Sequence, residues 1–181
     1  MKIRNIYRFI YKHIICRSNP VKYAKKIGVN FNGSVYIYGR VEWATEPWII
    51  SLGNNVHITD GVKFITHDGG TLLFRHMVPD LEITKPITVG DNVYFGNNVI
   101  VLPGVEIGNN VVIGAGAVVT KNIPDNSVAV GVPARVIKSV DEYLTKIKLE
   151  SLHLGNLKGL EKDNALKEYY HYKGSSKGIY F

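Results

Sequence analysis

The chain has 181 residues, of which 45% are hydrophobic, and its 22 basic and 15 acidic residues give a net charge of +7. This length suits one domain with short additions. The sequence contains no uninterrupted run of about 18 apolar residues, so it predicts no transmembrane helix. It also lacks an apolar leader with a cleavage site, which argues against a signal peptide. Cys16 is the single cysteine, which excludes an intrachain disulfide.

Residues 1–26 predict a basic amphipathic helix, because apolar residues recur at helical spacing from Ile3 to Ile14. The segment contains eight basic residues and no acidic one: Lys2, Arg4, Arg8, Lys12, Arg17, Lys22, Lys25 and Lys26. Two interpretations stay open: the helix packs on the rest of the protein or a neighbouring subunit, or it lies on an anionic membrane surface. The segment has no nucleic-acid-binding motif, and its aromatic residues are not interleaved in the way that single-strand binding uses, so no nucleic-acid partner is expected.

A six-residue repeat dominates residues 87–137. Apolar residues recur at every sixth position in two rows, Val89, Phe95, Val101, Ile107, Ile113 and Val119 in one, and Val93, Val99, Val105, Val111, Ala117 and Ile123 in the other. Gly, Asn and Asp, which tolerate positive φ, collect between the rows. A period of six fits neither a helix nor an alternating strand, but it fits a solenoid whose short strands form three sides of each coil. We therefore predict an all-β protein built around a parallel β-helix.

The repeat begins earlier and is interrupted twice. Clear hexads occur within residues 52–62, whereas residues 43–48 break the pattern. The hexads before and after residues 68–86 are out of phase, so this segment predicts a loop that leaves the stack directly after His67. Long loops in compact repeats usually carry function. We place the β-helix domain at residues 27–137.

The last segment, residues 138–181, predicts a helix and a tail. Val140, Tyr143 and Ile147 have helical spacing, which predicts a helix over Ser139–Glu150. Because the exposed end of a β-helix needs covering, we expect this helix to cap it.

These motifs resemble a known family. The hexads, the pair Thr66–His67, the segment 85–90 and the segment 131–137 (Gly-Val-Pro-Ala-Arg-Val-Ile) are similar to those of the hexapeptide-repeat acyltransferases. The similarity is to maltose and galactoside O-acetyltransferases and their relatives in polysaccharide biosynthesis. It implies a left-handed β-helix and a homotrimer with active sites between subunits. It also implies acetyl-CoA as co-substrate, no metal requirement, and acetyl transfer to a hydroxyl group of a saccharide acceptor.

The resemblance assigns the role of general base to His67. An alcohol attacks a thioester poorly unless its proton is removed, and imidazole takes up a proton close to neutral pH. The tetrahedral oxyanion would need hydrogen-bond donors, from backbone N–H groups or a side-chain amide.

The resemblance also implies a donor site. It places CoA against Tyr94, Asn97, Ala115, Thr120, Lys121 and Arg135, although relatives often have Trp at the position of Tyr94. Basic side chains at such positions suit the phosphates of CoA. Four further residues are candidates for acceptor binding: His57 and His76 by position, Arg75 by its charge if the acceptor is anionic, and Asp68, for which a catalytic role also stays open.

Two other activities stay open. The same scaffold supports N-acetylation of an amino sugar. It also supports carbonic anhydrase chemistry of the γ type, in which three histidines bind a metal. We disfavour the latter, because His57, His67 and His76 lack the closely spaced pair typical of that enzyme. A cytoplasmic location is expected, and contact of residues 1–26 with the inner face of the membrane would suit a lipid-linked glycan precursor.

Overall fold

The computed structural model describes residues 19–174, so most of the helix predicted over residues 1–26 lies outside the described part. Within it, helix α1 (Pro20–Ile27) begins after Asn19, whose side chain accepts a hydrogen bond from the backbone N–H of Lys22. The helix ends at Gly28, which has a left-handed conformation with φ of 106°. The chain divides into two compact units, one ending at Tyr143 and the other beginning at Leu144.

Short strands of the first unit form three sheets, and each sheet is one side of the coil. Sheet A contains β1 (Asn30–Phe31), β4 (Ile50–Leu52), β7 (Ile87–Val89) and β10 (Glu106–Ile107). Sheet B contains β2 (Val35–Ile37), β5 (Val56–Ile58), β8 (Val93–Phe95), β11 (Val111–Ile113), β13 (Ser127–Val130) and β14 (Arg135–Ser139). Sheet C contains β3 (Val41–Trp43), β6 (Val62–Phe64), β9 (Ile100–Val101) and β12 (Val118–Val119). The chain passes through A, B and C in turn and the stacked strands β1–β13 are parallel, so the predicted parallel β-helix is confirmed.

The core lies inside the three sheets. Every residue of the two predicted apolar rows is buried, as the six-residue period requires. Each inward side chain stacks on its counterparts in the coils before and after it. Phe95, for example, lies in register with Ile58 on one side and Ile113 on the other. Its ring also meets the ring of Phe64 edge-on, with the centroids 5.5 Å apart.

Asparagines form the turns from sheet A to sheet B. Asn55, Asn92, Asn110 and Asn126 all have φ of 55–56°, a left-handed conformation that Asn tolerates better than most residues. Their side-chain amides form a ladder, in which each Nδ2 donates to the Oδ1 of the next Asn at 2.9–3.0 Å. The turn sequence therefore also contributes to stacking between coils.

Two insertions interrupt the coil repeat. Adjacent regular coils are offset by 18 residues, as between Asn92 and Asn110. The offset is 37 residues between Asn55 and Asn92, because residues 65–86 lie between sheets C and A. A short insertion between β3 and β4 raises the offset of the first two coils to 21 residues. It corresponds to the break in the hexads at residues 43–48.

The β-helix ends in a strand that the repeat did not predict. Strand β14 runs antiparallel to β13 and extends to Ser139, two residues beyond the predicted boundary of the β-helix. Helix α2 (Val140–Glu150) follows, and Ser139 and Glu142 exchange hydrogen bonds in the manner of a capping box. This agrees with the predicted helix, and its role as a cap stays a prediction.

The second unit contains the end of α2 and helix α3 (Gly159–Tyr169), in which Lys167 pairs with Asp163 one turn away. Across residues 19–174, no helix combines the length and the apolar character that crossing a bilayer demands.

Candidate active site

His67 lies where the chain leaves the regular coil. It follows β6 and forms an antiparallel bridge with Thr84. The backbone N–H of Asp68 donates to the carbonyl of Ile83 at 2.9 Å, and the N–H of Lys85 donates to the carbonyl of Thr66 at 2.8 Å. These bonds close the base of the 68–86 loop, so the backbone at His67 is held from both sides while its ring remains 39% exposed.

The short insertion between β3 and β4 brings Thr45 and Glu46 next to His67. Glu46 Oε2 lies 3.1 Å from Nδ1 of His67 and accepts a hydrogen bond of 2.7 Å from the hydroxyl of Thr66. The hydroxyl of Thr45 donates to Glu46 Oε1 at 2.5 Å, and its oxygen lies 3.2 Å from Nδ1 of His67. Thr66 is fully buried, so this bond also satisfies a polar group in the core.

These contacts define the tautomer of the histidine. Glu46 is an acceptor, and the Thr45 hydroxyl has already given its hydrogen to Glu46. Both oxygens near Nδ1 therefore accept, which places the imidazole hydrogen on Nδ1 and leaves the lone pair on Nε2. A histidine in this state can accept a proton at Nε2 while the carboxylate stabilises the cation that forms.

The surroundings of Glu46 keep it ionised. Hydrogen bonds from Thr45 and Thr66 lower the pKa of the Glu46 carboxyl, and the bond and charge of His67 lower it further. Because the folded-state pKa lies below its usual value, the carboxylate persists as the pH falls below the usual range for Glu. The acceptor at Nδ1 is thus present throughout the neutral range.

The other candidate residues in the 68–86 loop form hydrogen bonds and ion pairs with other residues of the same loop. The Asp68 carboxylate accepts from the N–H of Gly70 and caps a 3-10 helix over Gly69–Phe74. Arg75 pairs with Glu82 at 2.6 Å and also donates to the carbonyl of Leu81. His76 lies 2.9 Å from the carbonyl of Leu73 through Nδ1. These contacts give all three a part in the structure of the loop, and a role at the acceptor stays a prediction.

The residues predicted to bind the donor divide between two edges of the β-helix. We call the turns from sheet B to sheet C the Ala115 edge; it carries Asn97 and Ala115. Arg135 begins β14, just after the chain reverses at the end of β13. At the Ala115 edge the N–H of Gly116 donates to the carbonyl of Asn97 at 2.8 Å, so the turns stack directly.

We call the turns from sheet C to sheet A the His67 edge; it carries His67, Thr120 and Lys121. The side chains predicted to bind the donor are exposed on both edges. The two edges are separated by the width of sheet C, so one chain does not bring all of these residues together.

His57 and Tyr94 lie on the outer face of sheet B. They are register partners on β5 and β8, and with Asn55, Asn92 and Val112 they line a shallow cleft of about 180 Å³. Within one chain this cleft lies on a different side of the coil from His67. Nowhere in residues 19–174 do three or more His, Cys, Asp or Glu side chains come together as ligands of a metal ion.

Comparisons with known proteins agree with this architecture. Residues 86–121 match the family described as bacterial transferase hexapeptide (six repeats). The chain is 49% identical over 125 residues to Protein CapG of Staphylococcus aureus, covering 68% of this chain and 73% of that protein. Relatives from Schizosaccharomyces pombe and S. aureus are matched over 54% and 58% of their own lengths.

Two solved structures are similar over most of the β-helix. One is a maltose O-acetyltransferase from Clostridium difficile 630, at 30% identity and a TM-score of 0.52 over 70% of this chain and 76% of that chain. The other is a galactoside acetyltransferase in complex with coenzyme A, at 30% identity and a TM-score of 0.56 over 77% of this chain and 78% of that chain. The chain therefore belongs to the hexapeptide-repeat transferases. Within that family it is an acyltransferase, as the predicted resemblance indicated.

Thr45 and Glu46 were not among the predicted site residues. They lie in the break of the hexads at residues 43–48, more than 20 residues before His67. The break itself was the available signal, because an insertion in a regular coil has to project at an edge.

Proposed function

We propose that this chain transfers an acetyl group from acetyl-CoA to a hydroxyl group of a saccharide acceptor, with His67 as general base. The observation that carries the proposal is the hydrogen-bonded group of Thr45, Glu46, Thr66 and His67, which leaves Nε2 of an exposed imidazole with a lone pair. The solved galactoside acetyltransferase with bound coenzyme A supports the donor, and both solved relatives support a saccharide acceptor.

The reaction would be a direct transfer. Nε2 of His67 accepts the proton of the acceptor hydroxyl as its oxygen attacks the thioester carbonyl carbon. The carboxylate of Glu46 stabilises the imidazolium. When the tetrahedral intermediate collapses, the C–S bond breaks and the imidazolium returns its proton to the leaving thiolate. Products are the acetyl ester and free CoA, and the histidine regains its starting state.

A second copy of the chain would complete the site. The outward residues of sheet C between the two edges include Ile100 and Val118, which are half-buried and apolar. If sheet C faces the symmetry axis of a closed homotrimer, the His67 edge of one copy lies beside the Ala115 edge of the next. Donor residues from both edges then line a single groove.

The function is tested by incubating the full chain with acetyl-CoA and a panel of saccharides and measuring free CoA. We expect CoA release that depends on the acceptor and a product whose acetyl group is lost in mild base, as an ester is. A base-stable product would instead identify an amide and the amino-sugar reaction. Failure to bind acetyl-CoA at all would contradict the proposal.

Replacing Glu46 by glutamine should lower kcat about tenfold to hundredfold, less than the roughly 10⁴-fold loss known for a fully buried triad aspartate. The amide offers an N–H toward Nδ1, which favours the tautomer whose Nε2 carries the hydrogen and cannot act as a base. The measurement is steady-state kinetics with acetyl-CoA and acceptor varied separately, and KM for acetyl-CoA should stay within about twofold.

Glu161→Gln is the matched control, because Glu161 is an exposed carboxylate in the first turn of α3 and does not belong to sheet C. Its kcat should equal that of the wild type. Equal kcat values for Glu46→Gln and Glu161→Gln would remove Glu46 from the mechanism.

A further inference from the structure

The outer face of sheet B carries a strip of aromatic rings. Tyr36 on β2, His57 on β5 and Tyr94 on β8 occupy successive register positions, and Tyr38 follows β2 directly. The rings of Tyr36 and His57 stack with their centroids 4.7 Å apart and an angle of 17° between their planes. The ring of Tyr38 is also nearly parallel to that of His57, with an angle of 12° and a centroid distance of 5.9 Å. Tyr36, Tyr38 and Tyr94 are between 43% and 63% exposed. Because Tyr36 and His57 cover each other's facing sides, it is the outer ring edges that are open to a ligand.

Hydrogen bonds hold the strip rigid. The Tyr38 hydroxyl lies 2.8 Å from Nδ1 of His57, and Nε2 of His57 lies 3.0 Å from Oδ1 of Asn55. Since Asn55 donates its Nδ2 to Asn92, its Oδ1 is the acceptor, so His57 carries its hydrogen on Nε2 and accepts from Tyr38. Both ring nitrogens are therefore used, and His57 is a fixed part of a surface rather than a second base.

The outer faces of sheets A and C in the first two coils carry different side chains. On sheet A the outward residues Asn30 and Ser51 are small and polar. On sheet C, Glu42 and Lys63 pair with each other. Among the outer faces of the described strands of the first two coils, only that of sheet B presents stacked rings with hydroxyl and amide groups at their margin. Such a surface suits a ligand with both an apolar face and many hydroxyl groups, as a saccharide ring has.

The position of the aromatic strip along the coil axis relates it to the proposed reaction. His67 leaves the β-helix between the second and third coils, and the implied donor residues all lie on the third to fifth coils. Acetyl-CoA would therefore occupy the groove on one side of His67, which leaves the first two coils for the acceptor. Tyr36, Tyr38 and His57 belong to those coils, and Tyr94 lies at the junction.

We propose that Tyr36, Tyr38 and His57 form the acceptor-binding wall, against whose exposed ring edges and hydroxyl groups a saccharide ring packs beside the His67 of a neighbouring copy. This rests on the proposed function and defines its acceptor side. The hydroxyl of Tyr38 and the amide of Asn55 stand at the border of the rings, where they can meet ligand hydroxyl groups. A nucleotide base or a protein segment on the strip is the competing occupant.

The test uses Tyr36→Thr, which removes a ring and keeps a residue suited to a strand. The control is Tyr170→Thr, which removes an exposed ring of the second unit that meets Tyr169 edge-on. Saturation-transfer NMR with methyl glucoside, methyl galactoside, methyl N-acetylglucosaminide and maltose is recorded on the full chain with CoA present, and KM is measured for each saccharide that is acetylated.

We expect saccharide signals in the wild type and the control, and a loss of signal or a rise in acceptor KM of about tenfold in Tyr36→Thr. KM for acetyl-CoA should not change. A wild-type protein that binds acetyl-CoA but none of the saccharides would overturn the inference, as would an unchanged acceptor KM in the variant. Failure to bind acetyl-CoA would instead overturn the proposed function, so the two failures are distinguishable.

Discussion

Replacing His67 by asparagine is expected to lower kcat by about two to four orders of magnitude, the usual scale for losing a general base. The asparagine amide can still donate toward Glu46, as Nδ1 of the histidine does, so the local hydrogen bonds survive. No group then occupies the position of Nε2, and the acceptor hydroxyl must attack without losing its proton first. KM for acetyl-CoA should change little, since the side chains proposed to hold CoA are left in place.

The control for this variant is His153→Asn, which makes the same substitution at an exposed histidine of the second unit. Its positive φ of 56° is one that asparagine also adopts. Both variants should bind acetyl-CoA normally. If His67→Asn then turns over as fast as His153→Asn, His67 is not the base.

Replacing Phe95 by alanine is expected to reduce the free energy of unfolding by about 3–5 kcal/mol. The ring is fully buried and packs against Phe64, and its register partners Ile58 and Ile113 lie in the adjacent coils. A cavity there weakens two coil interfaces at once, and a solenoid is stabilised chiefly by such interfaces between neighbours.

Denaturant unfolding measures this effect, and Thr88→Ala is the control. Thr88 points outward from β7 in the same coil and is exposed, so its loss should cost less than about 0.5 kcal/mol. A Phe95→Ala protein as stable as the Thr88→Ala protein would contradict the stacked core.

The periodic part of the fold was predictable because its cause is local. Each hexad supplies its own inward residue and its own turn, so the rows from Val89 to Val119 and from Val93 to Ile123 determine the coil without reference to distant residues. The antiparallel strand β14 was not predictable in this way. Val136 and Ile137 look like further repeat residues, and the reversal at residues 131–134 depends on contacts with the last coil.

The candidate site was predictable only in part, for the same reason. His67 stands out because the repeat stops there. Glu46 is brought beside His67 by the stacking of the coils. The connection between β3 and β4 is three residues longer than in a regular coil, and this extra length can be recognised only when the register of the coils is known. The division of the donor residues between two edges likewise follows from which sheet precedes each turn. The spacing of the apolar residues determines which sheet precedes each turn. That a shared site needs the two edges to come from different copies becomes apparent only when the coils are assembled.

The most direct test of the account is a mixing experiment with two inactive variants. His67→Asn removes the base from the His67 edge, and Ala115→Trp blocks the groove at the Ala115 edge. If each site takes these residues from two different copies, a randomly mixed ring restores about a quarter of the wild-type activity, since half of the copies have each intact edge. Activity no higher than that of the separate variants, in a mixed oligomer shown to have formed, would contradict the shared site.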